Sequence, residues 1–306
     1  MLAWTVDHSS ASHLSLREVP DPVPGPHDAV IQVQAFAPNH GDLEGLPHLP
    51  DGMIPGWDAA GVVVAEAPDG TGPRLGQIVA SLGPYGAWAQ RRLVTAEAVG
   101  IAPDGADPNV TSVVPVAATS ALRGLRRLGP LLGRRVLVLG GTSAVGLYAV
   151  QLAARGGAEV VTTTRNPAAR ERLLGLGAHE VVVSPSDLSR DVSGVLDLLG
   201  GSYLVGAFAR LAPGGILVAL GHAAGEDERF AYGDLFGDGN RHDRTLTTFF
   251  LGAEAGLGPD LTWLATEIHE GRLDPVVAAL RSWRELPDAF APGAERAPGK
   301  VVLTVD

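Results

Sequence analysis

The sequence predicts an α/β chain with two kinds of domain: a β-rich, antiparallel, barrel-like first part and a later doubly wound parallel sheet with helices on both faces. Two textures predict this. Up to about Thr111, short alternating runs are cut by Pro and Gly, as in antiparallel strands joined by turns. From Ser112 onward, strand-like runs alternate with helical stretches, as in parallel βαβ units. The length of 306 residues suits two domains, each with its own core.

In the first part, Asp28 to Ala35 alternates apolar and polar residues with period two, which makes a half-buried strand. Pro20, Pro22, Pro24 and Pro26 precede it and keep the approach extended. Further β runs fall at Gly61 to Glu66 and Gln77 to Ser81. Val113, Val116, Ala117, Leu122, Leu125 and Leu128 then recur at helical spacing. After that helix come strand runs at Val136–Leu139, Val160–Thr164, Glu180–Val183, Val195–Leu198 and Ile216–Leu220. Thr245 to Leu251 reads as a β-branched and aromatic edge strand, a helix follows near Pro259–Glu270, and Lys300–Val305 is a closing strand. There is no internal repeat and no low-complexity linker.

Composition narrows the function classes. With no cysteine, thiolate metal sites, iron–sulfur clusters and cysteine nucleophiles are excluded. The formal charge of −11 opposes nucleic acid and anionic lipid, so neither is an expected partner. No run reaches 18 uncharged apolar residues and no basic leader precedes an apolar stretch, so a cytoplasmic protein is expected. Every cation except Lys300 is arginine, which reads as coding bias more than chemistry.

The strand at Arg135–Leu139 runs into Gly140-Gly141-Thr142-Ser143-Ala144-Val145-Gly146 and then into an apolar-periodic helix. That is the strand–turn–helix context of a dinucleotide fingerprint, with Ser143 in place of the middle glycine. Phosphates would sit at the helix N-terminus, with Ser143 adding a hydroxyl donor. The bland alternative is a tight turn in a chain with 40 glycines. Arg165 follows Thr162, Thr163 and Thr164 at the end of the next strand, where an acidic residue would mark NAD. An arginine there fits the 2′-phosphate of NADPH; the alternative is a solvated strand-end cation.

Several segments, taken in order and spacing, resemble the zinc-independent quinone oxidoreductase branch of the medium-chain dehydrogenase/reductase superfamily over nearly the whole chain. They are Val33 to Asp42, Pro55 to Gly61, Gly86 to Ala89, Pro115 to Ala121, the glycine-rich turn, Leu176 to Ala178, Asp197 to Gly201, Leu211 to Gly215 and Gly299 to Leu303. The resemblance implies a GroES-like catalytic domain over 1–111, a Rossmann NADPH-binding domain over 112–251, and a segment over 252–306 that returns to the catalytic domain. It places NADPH in the cleft between the domains and a two-fold at the Rossmann edge strand, hence a homodimer. Zinc-dependent relatives carry a cysteine and a Gly-His-Glu pair where this chain has Asn39 and Gly56-Trp57-Asp58, so zinc is not expected. His40, His48 and Asp58 are the residues that an improvised metal site would need.

Carried over position by position, the resemblance puts Ser120 in the cofactor cleft and Gly221 beside the nicotinamide. It puts the backbone of Phe250 at the carboxamide and Arg296 on the cofactor from the closing segment; core aromatic and exposed charge are the bland alternatives for the last two. The implied activity is reduction of a quinone or an α,β-unsaturated carbonyl without metal. Asn39 is the expected uncharged donor near the substrate oxygen, with Asp42 holding its loop. Tyr85, on a Gly/Pro loop, borders the cleft or packs as a surface turn residue. Leu43 to Pro55 is shorter than in many relatives and no tyrosine follows Asn39 closely, so the proton donor stays open among Tyr85, His40 and water. The alternatives are a dedicated tailoring reductase or cyclase of a secondary-metabolite pathway and a non-catalytic NADPH-binding protein.

Overall fold

A hairpin opens the chain, β1 (Leu2–Val6) antiparallel to β2 (Leu14–Glu18). The period-two run becomes β3 (Asp28–Phe36), and its C-terminal end passes through Asn39 into a short helix, α1 (His40–Gly45). Next come β4 (Asp58–Ala65), β5 (Ile78–Leu82), β6 (Arg91–Thr95), β7 (Val99–Ile101) and one helical turn, α2 (Pro108–Thr111). The computed structural model describes residues 1–291 and 297–306. The chain divides into two compact units, Met1–Thr119 with Gly252–Asp306, and Ser120–Leu251.

The expected single helix after Ser112 is a π-helical turn over Val114–Ala118 running into α3 (Thr119–Arg127). The second unit then alternates β8 (Arg135–Leu139), α4 (Ala144–Arg155), β9 (Glu159–Thr163), α5 (Arg170–Gly175), β10 (Glu180–Val182), β11 (Val192–Asp197), α6 (Gly201–Ala209), β12 (Leu211–Ala219) and β13 (Thr245–Thr248). All its strands pair in parallel in the order β10-β9-β8-β11-β12-β13. The order reverses beside β8, which is the topology of a Rossmann sheet. β8 is buried along its whole length, so its Val and Leu run reads continuously apolar rather than alternating. Leu137, Leu139, Val161, Val195, Leu217 and Phe208 form the core on one face.

The returning segment contributes α7 (Gly258–His269), β14 (Val277–Ser282), the short α8 (Leu286–Ala289) and β15 (Lys300–Thr304). β15 lies antiparallel to the end of β3, and the first unit's sheet runs β14-β15-β3-β4-β5-β7 with β6 also on β3. The antiparallel expectation fails at one pair, β14 and β15, which are parallel because α8 crosses between them. Phe36 stacks on the buried Trp88 at 6.0 Å between ring centroids, in a core with Ile31, Trp283 and Leu303. Such an aromatic pair adds about 1 kcal/mol beyond its buried area. Among the described residues no helix is long and apolar enough to cross a membrane.

Candidate functional site

In the second unit, the turn after β8 sits at the C-terminal end of the strand beside the reversal of strand order, where doubly wound sheets bind ligands. Its position is set by β9: the Gly140 N–H donates to Thr163 Oγ1 at 3.0 Å, and the Gly141 N–H to Thr163 O at 3.1 Å. A Cβ on Gly141 would lie 2.1 Å from Thr162 Oγ1, and that hydroxyl is itself fixed on Val138 O. Gly141 therefore has no room for a side chain. At Gly146 a Cβ would meet Gly140 O at 2.3 Å, which is the close helix–strand contact expected of the third glycine.

Ser143 has local partners for its hydroxyl. It is the N-cap of α4; its Oγ accepts from the Gly146 N–H at 3.0 Å and donates to Gly140 O at 2.9 Å. Both partners lie within the turn and the helix that it opens. What remains for an anion are the first-turn N–H groups around Thr142, Ala144 and Val145, which lack intrahelical acceptors. At the end of β9, Thr164 accepts from the Asn166 N–H and Arg165 is exposed, with no polar partner among the described residues. The turn thus fits a dinucleotide, and Arg165 stands one residue beyond Thr164 as a free cation.

Other cofactor candidates fall where their elements put them. Ser120 is buried in the first turn of α3. Gly221 lies just past β12, where a Cβ would come within 3.0 Å of Leu198 O. Phe250 is 71% exposed beyond the end of β13 while its neighbour Phe249 is buried, so the core-aromatic alternative belongs to Phe249. Arg296 lies outside the described residues. Asp197, at the end of β11, accepts from the Leu199 and Gly200 N–H groups, and burial nevertheless raises its carboxyl above the ordinary value.

The first unit builds its site from side chains. Asn39 is the N-cap of α1 and Asp42 is the third residue of that helix; the Asn39 N–H donates to Asp42 Oδ2 at 2.7 Å. The Asn39 amide is fully engaged. Its Nδ2 donates to Asp42 Oδ2 at 3.0 Å and to Asp58 Oδ2 at 3.2 Å, and its Oδ1 accepts from Lys300 Nζ at 2.6 Å. Lys300 Nζ also donates to Asp58 Oδ2 at 2.8 Å, an ion pair with side chains 3% and 0% exposed. Both amide hydrogens of Asn39, the expected uncharged donor, have carboxylate acceptors in this structure.

Behind this cluster lies Arg92 on β6, also buried. Its guanidinium donates to Trp57 O at 2.9 Å, to Ser81 Oγ at 3.0 Å and to Tyr85 O at 3.1 Å. Burial lowers it to about 10, opposed by the charges of Asp58 and Asp42. Asp42 Oδ1 accepts from the Trp57 N–H at 3.1 Å. Burial first, and Asp58 second, push the Asp42 carboxyl up to about 6. Asp58 Oδ1 is buried without a partner. Tyr85 itself is 54% exposed, its backbone held by Arg92 while its ring is at the surface. Lys300 and Arg92 are the members of this network that sequence reasoning missed; a lone lysine in an arginine chain was the available signal.

Two family models match the chain: the alcohol dehydrogenase GroES-like domain over residues 25–104, and the zinc-binding dehydrogenase over residues 144–264. Zinc does not suit the donor set of the first unit. Trp57 brings no metal donor, Asn39 Oδ1 and Asp58 Oδ2 both accept from the Lys300 ammonium, and His40 pairs with Glu44. In sequence the chain is similar to the spectinabilin polyketide synthase system protein NorB of Streptomyces orinoci, 32% identical over 302 residues that cover 92% of this chain and 13% of that protein. It is 31% identical over 304 residues to the pikromycin polyketide synthase component PikAII of Streptomyces venezuelae, covering 94% of this chain and 8% of that one. The chain spans about a tenth of the length of the curated relatives it matches.

In structure it is similar to an alcohol dehydrogenase superfamily protein from Novosphingobium aromaticivorans, at a TM-score of 0.88, 27% identity and full coverage of both chains. It shares the fold of 2-haloacrylate reductase at a TM-score of 0.86, with 24% identity and 99% coverage of both chains. A GroES-like unit and a dinucleotide-type Rossmann sheet, each matched by its family model within one chain, place it in the medium-chain dehydrogenase/reductase superfamily, a family of oxidoreductases whose members bind nicotinamide nucleotides.

Proposed function

We propose that this protein reduces a quinone or an α,β-unsaturated carbonyl with NADPH and without metal. The observation that carries the reading is the Lys300 ammonium: Asn39 and Asp58, which flank the position of a metal in zinc relatives, both bond to this internal cation. A site without a Lewis acid suits an acceptor already activated by conjugation, whereas an ordinary alcohol would need a metal or strong base to lose its proton. When bound, NADPH supplies the hydride. The chain's own residues do the rest: Gly141 to Gly146 hold the pyrophosphate through backbone N–H groups, and Arg165 pairs with the 2′-phosphate. Ser120, Gly221 and Phe250 are the proposed lining. Asn39 and Asp42 hold the reducing face in shape, and the Tyr85 hydroxyl, His40 or water supplies the proton.

Oxidation of NADPH by chelator-treated protein, followed with a panel of quinones and enones, tests the reading. Turnover of a conjugated acceptor and negligible oxidation of primary alcohols are expected; the reverse pattern overturns it. Arg165→Ala should weaken NADPH binding by at least about tenfold and leave NADH binding unchanged, as loss of one charged hydrogen bond requires. Equal affinity of the wild type for both nucleotides would remove Arg165 from cofactor choice. A homodimer through β13 is part of the proposal, because β13 ends the parallel sheet with Leu246 40% exposed. A concentration-independent monomer mass in light scattering would refute it.

A second reading is favoured by the similarity to polyketide synthases over nine-tenths of the chain. In it the same site serves one dedicated enone of a secondary-metabolite pathway. Strong preference for a single thioester-linked enone over free quinones would select it.

A further inference from the structure

Trp57 stands between the two halves of the buried network, and its backbone is tied at both polar atoms. The N–H donates to Asp42 Oδ1 at 3.1 Å, and the carbonyl accepts from Arg92 Nη1 at 2.9 Å and from the Gly83 N–H at 3.1 Å. The indole ring is packed as well. It lies against α1 at Gly41, where an added Cβ would be 2.6 Å from Trp57 Cη2 and 3.2 Å from Cζ3. A side chain at position 41 would push the indole from this seat. Yet the residue is half-buried rather than enclosed, and among the described residues no acceptor takes its indole N–H. Asn39 and Asp42 adjoin it on one side, and the Tyr85 loop, pinned by the same Arg92, on the other.

A large aromatic tied at its backbone, packed on α1, partly open to solvent and next to Asn39 and Asp42 offers a stacking surface to the proposed reducing site. Indole is electron-rich and a quinone ring is flat and electron-poor, so an offset stack of the two is favourable, while an acyclic enone offers no ring to stack. We propose that Trp57 is a specificity-determining residue whose indole face selects planar cyclic acceptors. This rests on the reductase reading and narrows it to the quinone class.

The test compares wild type, Trp57→Phe and Trp57→Leu in steady-state reduction of a naphthoquinone and of an acyclic enone, with NADPH titration and thermal unfolding on each variant. Trp57→Leu should raise the KM for the naphthoquinone about tenfold, which is the worth of a good aromatic pair. The KM for the acyclic enone should change less than about threefold, and Trp57→Phe should retain most of the quinone preference. Naphthoquinone added without NADPH should quench tryptophan emission less in Trp57→Phe than in wild type. Equal KM changes for both acceptors, or none, overturn the inference, and so does wild-type enzyme that reduces the enone but not the naphthoquinone; in those cases the reductase reading stands. If wild type binds NADPH and reduces neither acceptor, that reading fails and the inference fails with it. If Trp57→Leu does not fold, the Phe variant and the quenching difference decide.

Discussion

The turn between β8 and α4 and the cluster around Asn39 are held by different kinds of force. The turn is seven consecutive residues whose polar work is done by backbone N–H groups, one capping serine and the absence of side chains at Gly141 and Gly146. The cluster gathers Asn39 and Asp42 from α1 and its cap, Asp58 from β4, Arg92 from β6 and Lys300 from β15, with two carboxyls and two cations buried together. A backbone site has no charge to desolvate, so single substitutions cost little unless they fill its space. A buried charge cluster is costly to assemble, and removing one member leaves the others uncompensated. The difference teaches where this protein is fragile.

The largest expected effect follows directly. Lys300→Met should destabilise the chain by about 3–5 kcal/mol, because it strands the Asp58 charge in a fully buried site. Adding Asp58→Asn should recover most of that loss. Chemical denaturation of both variants measures it, and a loss under about 1 kcal/mol would show that the pair is not needed.

Next is the pH dependence at Asp42. Its folded carboxyl titrates at about 6 against an ordinary value of 3.8, so the folded state binds its proton more tightly. Its contribution is therefore fully present below about pH 4 and is lost as pH rises through about 6, by roughly 3 kcal/mol. Asn cannot titrate, so the stability of wild type minus that of Asp42→Asn should fall by this amount between those pH values. A flat difference would mean that the burial of Asp42 is not felt by the proton.

The turn gives the smallest effect. Ser143→Ala should cost about 1 kcal/mol through loss of the α4 cap, with NADPH affinity nearly unchanged because the hydroxyl is already used by Gly140 and Gly146. A large loss of affinity instead would make Ser143 a phosphate ligand and bring the two regions closer in character.

These two sites also differ in how legible they were. The turn could be read because a strand, a tight turn and a helix start are decided by neighbours in the chain: Val136 to Leu139, the glycines and the apolar period of α4 are contiguous. The same holds for β3 with its period of two and for β13, whose Thr-Leu-Thr-Thr run foretold an edge. The place of Ser143 in the turn is legible, whereas its capping partners depend on where Gly140 O and the Gly146 N–H come to lie. Asn39 is legible as a position, whereas both acceptors of its amide and the cation on its oxygen are set by packing and have no local signal.

What the sequence by itself determined is every feature written in local spacing: two textures of strand, the phosphate-type turn, the arginine at the end of β9, and the lack of thiolate chemistry. What only the tertiary structure decided is the company that distant residues keep. Lys300, 261 residues from Asn39, reads in sequence as the sole lysine of an arginine-rich chain and in space as the buried ammonium between an amide and a carboxylate. No local pattern reports these two bonds, because the sheet that brings β15 beside β3 is made by pairing across the whole chain.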